Sequence, residues 1–553
     1  MASNGKEPTR PIGHLSALKD GTLRATTTLS PKACRVRARI SVPPTKVMPI
    51  IVVPGIMGTN LRASMKKGAQ KNEILRPGEA AWRPPNGAAE GMNEVGVWKK
   101  REPAERQKIL NGHTLEVDSS GAIEFEGHMT LGEVDEGYAR SHGWGEIHWS
   151  SYGGLLIALK LQFGKFLQCG WESQPPTISS NWIGLNQYDR KLWRGVKSEI
   201  LADFQLAEIE NLAGYWYPIY AFGYNWLLSN ENSADRLSQR IEQIISHYSS
   251  LGRECEKVMV VTHSMGGLVA RACAKKIPEK IRGIIHVCMP ALGAPVCYRR
   301  IACGTETFSP SNGKLENATA DAFAEIAGRT SAETNAVMAH APGALELLPT
   351  HLYPKPWLFI RQNDEENKSG LVERIPIENP YKFYRDVTTW YRLFQPELID
   401  PANEHKEHAV KKMQQSVDQA AKFHEKILDI YYHPNSFAIY GSDSQHLSFG
   451  RYTWIEYGSQ RVTPDILFLG KQISSTFNGH RSVEIKDGRN LLFTPSIQDE
   501  DGDGTVPATS GAGVLGGVKK TFMLSGFDHQ NVFSNSSVMM LTFQLIARAI
   551  LES

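Results

Sequence analysis

Residues 257–277 read KVMVVTHSMGGLVARACAKKI. The run KVMVVTH has the length and apolar character of a buried strand, and MGGLVARACAKKI continues with helical spacing. A serine on the turn between a strand and a helix is the setting of a nucleophile elbow, whose pattern is G-x-S-x-G. In this chain Thr262 stands where the first glycine belongs, while Gly266 is present with Gly267 behind it. Small residues on either side of the serine keep the strand and helix from clashing. A threonine there is crowded but admissible, because it still sits on strand-like backbone. Ser264 is therefore a candidate nucleophile, and the rest of the chain must supply its partners.

Outward from this stretch, PIIVVPGIMGTNL (49–61) reads as a buried strand entering a glycine-rich turn. Further apolar strands are expected at YWYPIYAF (215–222), GIIHVCMP (283–290) and SFAIYG (436–441), and an early one at 34–42. The segment 233–251 has helical periodicity, with Ser233 as the expected N-cap. Fully apolar strands alternating with helices predict an α/β fold whose mainly parallel sheet is covered on both faces. Two long stretches break the alternation. The division expected is a lead-in at 1–48, a core at 49–61 and 215–294, an insertion at 62–214 as a cap or lid, a mainly helical cap at 295–432, and a second core part at 433–553.

The bulk properties exclude several classes. The chain has 553 residues, 41% hydrophobic content and a formal net charge of +3, so nothing in its charge calls for nucleic acid. It shows neither zinc-ligand spacing nor a phosphate-binding glycine loop. The first twenty residues lack the apolar core of a signal peptide, and no apolar run reaches the roughly 18 residues of a membrane helix. Seven cysteines, scattered from Cys34 to Cys303, read as free buried thiols made in a reducing compartment.

A serine hydroxyl needs a histidine base, a carboxylate to orient that base, and backbone N–H groups for the oxyanion. After residue 480 the chain holds one histidine, His529, in SGFDHQNVF (525–533). It lies in a loop between TFML (521–524) and a helix expected near Ser534. The carboxylate candidates are in QDEDGDGTVPATSG (498–511). The alternating Asp499, Asp501 and Asp503 mimic the start of a calcium loop, but Ser510 occupies the position that requires glutamate. Asp503, between two glycines, is the orienting candidate, with Asp443 as the alternative. Oxyanion donors are expected at Met265, directly after the serine, and at Ile56 in PGIMG.

The motifs PIIVVPGIMGTNL, THSMGG, SFAIYG and DGDGTVP, in this order, resemble the lipases related to lecithin:cholesterol acyltransferase. APGALELLPTHLY (341–353) is similar to a cap segment of that family. PIYAFGYNWLLSNENSADRL (218–237) and CMPALGAPVCYRR (288–300) resemble bacterial type VI secretion lipase effectors. The resemblance implies an α/β-hydrolase core, a Ser264–Asp503–His529 triad and ester substrates in membrane phospholipids. It also implies delivery by a secretion machine into a target cell, without a cleaved signal, and a cognate immunity protein. No cofactor is implied, and calcium use is left open. An acyltransferase built on the same acyl-enzyme, or a hydrolase fold kept for binding, are the competing expectations.

Overall fold

The apolar run after Lys257 forms a strand, Val258–His263, buried along its whole length. It lies inside a seven-stranded sheet. In chain order the strands are β1 (Ile50–Val53), β2 (Arg194–Gly195), β3 (Ile219–Ala221), β4 (Val258–His263), β5 (Ile281–Val287), β6 (Ser436–Gly441) and β7 (Lys520–Leu524). Their spatial order is β2-β7-β6-β5-β4-β1-β3, and every pairing is parallel except β2 against β7. The structure, a computed structural model, describes residues 43–552 apart from 126–133, 169–176, 197–200, 363–370, 459–461, 477 and 515, together with Ser16–Ala17 and Leu23–Arg24. The strand expected at 34–42 lies outside the described residues.

Five helices position the site: α1 (Trp149–Gly164), α2 (Asn230–Ser250), α3 (Gly266–Lys276), α4 (Lys314–Ala327) and α5 (Ser536–Leu551). Because side chains alternate across a strand, β1 and β4 serve two cores at once. Ile51, Val53, Val258 and Val260 pack in the layer of α2 and α3, whereas Ile50, Val52, Met259 and Val261 pack in the layer of α1 and α5. Both faces are dry, which is why these strands carry no polar alternation.

Several boundaries move for identifiable reasons. The 215–222 run divides at Pro218, which has no N–H to donate. Tyr215–Trp216 pairs with Lys46–Val47, and only Ile219–Ala221 joins the main sheet. Helix α2 begins before the expected Ser233 cap: the Ser229 hydroxyl accepts from the Glu231 N–H, and Ser233 is buried within the helix. Asn535 caps α5 in the same way.

The domain division needs two corrections. Residues 62–214 do not stand apart as a cap, because α1 covers one face of the main sheet and β2 closes its edge. The boundary at 432 cuts through a second, six-stranded sheet. That sheet joins Leu358–Gln362 and Leu371–Arg374 to Tyr452–Glu456, Lys471–Ser475, Arg481–Glu484 and Asn490–Pro495. Its core is a separate cluster containing Trp357, Trp390, Trp454 and Phe493. Trp144, Trp149 and Trp226 are buried and Trp216 is partly buried, so these rings belong to the cores.

Candidate active site

Ser264 caps the end of β4 with a φ of 52°, a left-handed value rarely held by a residue with a side chain. Its N–H donates to the Val287 carbonyl at 2.9 Å, which ties the elbow to β5. Glycines permit the close approaches. A Cβ on Gly266 would lie 2.5 Å from the Pro54 carbonyl oxygen, and one on Gly55 would lie 2.9 Å from the Ser264 Cβ. Thr262 is accommodated by a specific partner: its hydroxyl lies 3.1 Å from Nδ1 of His286 on β5. The missing motif glycine is thus replaced by a buried cross-strand hydrogen bond.

The turn after the short strand Glu500–Gly502 and the loop after β7 bring Asp503 and His529 together. His529 Nδ1 lies 2.8 Å from Asp503 Oδ2, and the other carboxylate oxygen accepts from the Thr505 and Val506 N–H groups at 3.0 and 2.7 Å. The His529 N–H also donates to the Asp503 carbonyl at 2.7 Å. Gly441, ending β6, admits the aspartate, since a Cβ there would sit 2.8 Å from the Asp503 Cβ. Burial works to raise the Asp503 carboxyl, but the His529 ring and the two amides hold it below the usual carboxylate range. Asp443 does not face the imidazole. It accepts from the Gly526 N–H at 2.7 Å and steadies the start of the histidine loop.

Ser264, Asp503, His529 and Ile56 all line one cavity of about 760 Å³. Among the described residues no hydrogen bond joins the Ser264 hydroxyl to the His529 ring; such contacts are commonly loose until substrate is bound. Met265 begins the turn into α3, and its N–H and that of Ile56 meet no protein acceptor among the described residues. The cavity wall is apolar at Val296, Phe308, Leu315, Phe323 and Leu347. Arg300 and Glu306 also line it, joined to each other through Nε at 3.1 and 3.0 Å.

A histidine and a thiol near the site were not singled out in the sequence. His263, beside the serine, is buried with its ring 4.8 Å from the His529 ring. Its position directly before Ser264 was the available signal. Cys288, just after β5, is buried close to Asp503, and burial raises its thiol well above its ordinary range. Ligand atoms of Cys288, Asp503 and His529 lie within 4.8 Å of one another. They fit a metal poorly, because both oxygens of the carboxylate are already occupied by N–H donors from Thr505, Val506 and His529. Asp499 is engaged elsewhere, with the Arg451 side chain at 2.9 Å.

Comparison with known proteins places these observations. Residues 228–309, which include β4, the elbow and β5, match the family described as PGAP1-like alpha/beta domain. An uncharacterized protein of Saccharomyces cerevisiae is 36% identical over an alignment of 268 residues that covers 44% of this chain. The chain spans 38% of the length of that relative. A chain in the crystal structure of the Tle4–Tli4 complex superposes with a TM-score of 0.72 at 24% identity, covering 91% of this chain and 98% of its own. Phospholipase PlaB from Legionella pneumophila, at 11% identity over 61% of this chain and 79% of its own, gives a TM-score of only 0.15. With the parallel sheet and the Ser264 elbow already described, the chain has the α/β-hydrolase fold and shares its architecture with the Tle4–Tli4 neighbour.

Proposed function

We propose that this chain is a serine lipolytic hydrolase that cleaves carboxylic ester bonds of glycerophospholipids. The observation that carries this reading is the 2.8 Å contact of His529 Nδ1 with buried Asp503, on the same apolar-walled cavity as Ser264. In the scheme, His529 Nε2 takes the Ser264 proton as the hydroxyl oxygen attacks the ester carbonyl. The Met265 and Ile56 N–H groups hold the oxyanion. The imidazolium returns its proton to the leaving lysolipid or alcohol oxygen. Water, deprotonated by the same imidazole, then frees the fatty acid from Ser264. Asp503 keeps Nδ1 protonated and balances the imidazolium charge throughout.

The cavity suits an acyl chain through Phe308, Phe323 and Leu347, and Arg300 offers the one guanidinium on its described wall. No metal takes part in the scheme, so turnover is expected to survive a chelator. The wider role we propose is that of an antibacterial effector toxin. It is made in the cytoplasm, delivered by a secretion machine and directed at the membranes of a target cell. A cognate immunity protein would then restrain it. The sequence resemblance and the shared fold with a chain of the Tle4–Tli4 complex support this role.

The test uses wild type and Ser264→Ala on phospholipids labelled separately at the two acyl positions. Release of labelled fatty acid by wild type alone is expected, and the released label identifies the ester cut. Equal release by both proteins would remove Ser264 from the chemistry. A new ester formed with an added alcohol acceptor would instead indicate acyl transfer.

A further inference from the structure

The turn after β1 and the histidine loop after β7 are far apart in the chain, yet one chain of hydrogen bonds connects them. The Gly55 N–H donates to the Tyr152 hydroxyl oxygen at 2.9 Å. That hydroxyl lies 2.7 Å from His263 Nδ1. His263 Nε2 lies 3.0 Å from the main-chain carbonyl oxygen of His529.

The donors and acceptors can be assigned without ambiguity of direction. A carbonyl oxygen only accepts, so His263 Nε2 carries the proton. Burial pulls the His263 pKa down to about 3, so the ring is neutral and Nδ1 accepts. The Tyr152 O–H therefore donates to Nδ1, which leaves its lone pair for the Gly55 N–H. Each group in the series has its partner, and none is spare. The surroundings leave little freedom: Cβ atoms built on Gly55 and Gly58 would lie 3.2 Å from His263 Nδ1 and 3.0 Å from the Tyr152 hydroxyl.

We propose that Tyr152 and His263 are positioning residues that fix the oxyanion turn and the base loop relative to Ser264. The proposal rests on the reading of Ser264 and His529 as nucleophile and base. At one end the strut holds the peptide unit just before Ile56, whose N–H is the second oxyanion donor. At the other it holds the main chain of His529, whose own N–H is already bound to the Asp503 carbonyl. The base is thus clamped through both sides of its backbone as well as through its ring. Neither residue exchanges a proton with substrate.

Three variants of the full chain test this: Tyr152→Phe, His263→Gln and His263→Leu. A displacement of about 1 Å at a reacting group is worth about 100-fold in rate. Tyr152→Phe is therefore expected to lower kcat by about 10- to 100-fold with little change in KM. Ser264 in this variant should still be labelled by a fluorophosphonate, but more slowly. His263→Gln keeps an N–H for the His529 carbonyl and should recover part of the activity that His263→Leu loses. The double variant Tyr152→Phe/His263→Leu should cost about as much as the worse single variant, as members of one unit do. Wild-type kcat in Tyr152→Phe overturns the proposal, as do strictly additive losses. If His263→Leu fails to fold, Tyr152→Phe and His263→Gln still decide it. If wild type is not labelled at Ser264, or Ser264→Ala keeps turnover, the hydrolase reading itself fails and the proposal falls with it.

Discussion

In the seven-stranded sheet, Val258–His263 is buried at every position, whereas in the six-stranded sheet Asn490–Pro495 alternates exposed and buried residues and Lys471–Ser475 is mostly exposed. Apart from its β2 edge the first sheet is parallel and lies between two helical layers, so its strands leave through turns at a common edge. Those turns hold Ile56 after β1, Ser264 after β4 and His529 after β7, with Asp503 packed on the end of β6. The second sheet is largely antiparallel, with a core of aromatic rings and one wet face. It stabilises the molecule without contributing a member of the proposed triad. The first sheet thus carries both the proposed triad and two cores, whereas the second contributes packing alone.

The sharpest way to break this comparison is through the carboxylates. Asp503→Asn is expected to lower kcat by about 10⁴-fold with the fold intact, by analogy with the loss of an orienting aspartate in other triads. Asp443→Asn should stay near wild type in the same steady-state assay. Comparable losses in both would return the orienting role to open question.

The second sheet should respond in the opposite manner. Trp454 is fully buried, with Trp390 at 5.8 Å and the Arg481 guanidinium at 4.7 Å from its ring. Trp454→Ala is expected to destabilise the protein by about 3–5 kcal/mol in denaturant titration. Its kcat, corrected for the folded fraction, should remain close to wild type. A selective loss of kcat would show that the second sheet reaches the chemistry after all.

The elbow offers a smaller test. Thr262→Gly restores the motif glycine but leaves the buried His286 Nδ1 without the Thr262 hydroxyl. It is expected to cost about 2 kcal/mol of stability rather than gain any. Equal or greater stability in thermal unfolding would mean that the cross-strand hydrogen bond contributes nothing.

The smallest effect concerns pH. Burial lowers His142, His263 and His286 to about 3, and His340 and His424 to about 4. Each is neutral when folded but takes up a proton below about pH 6.5 when unfolded. Their contribution is therefore complete above pH 6.5 and declines as pH falls toward 4. Glu346, raised to about 8 by burial, works in the other direction, since it keeps its proton only in the folded chain. With five histidines against it, moving from pH 7 to pH 6 should lower Tm by about 2 °C. A Tm that holds until pH 4 would point to carboxylates alone.

Much of the first sheet was legible because its strands are unbroken apolar runs of the right length, as in KVMVVTH and GIIHVCMP. Ser264 and His529 could be singled out because each sits on a short loop beside such a run, and Asp503 because it lies between two glycines in a tight polar turn. The second sheet was not legible, because Leu358–Gln362 finds its partner at Tyr452–Glu456, across roughly ninety intervening residues. Periodicity reports a strand, not which distant strand it joins. Tyr152 was hidden for a related reason: it lies on a helix within an insertion, and its hydroxyl acquires meaning only when it meets Gly55 and His263. Thr262 was recognised as tolerable, but its compensation depends on a residue on the neighbouring strand.

The two residues Arg194 and Gly195 form the antiparallel edge of the main sheet, against Phe522 and Met523. A parallel sheet left open at that side would present the outer backbone groups of Lys520–Leu524 to solvent. Such a rail recruits strands from other molecules. The insertion that supplies β2 therefore acts as a guard against self-association. Deleting 62–214 to expose the cavity would remove both this guard and the α1 layer, and the expected product is an aggregate rather than an unlidded enzyme.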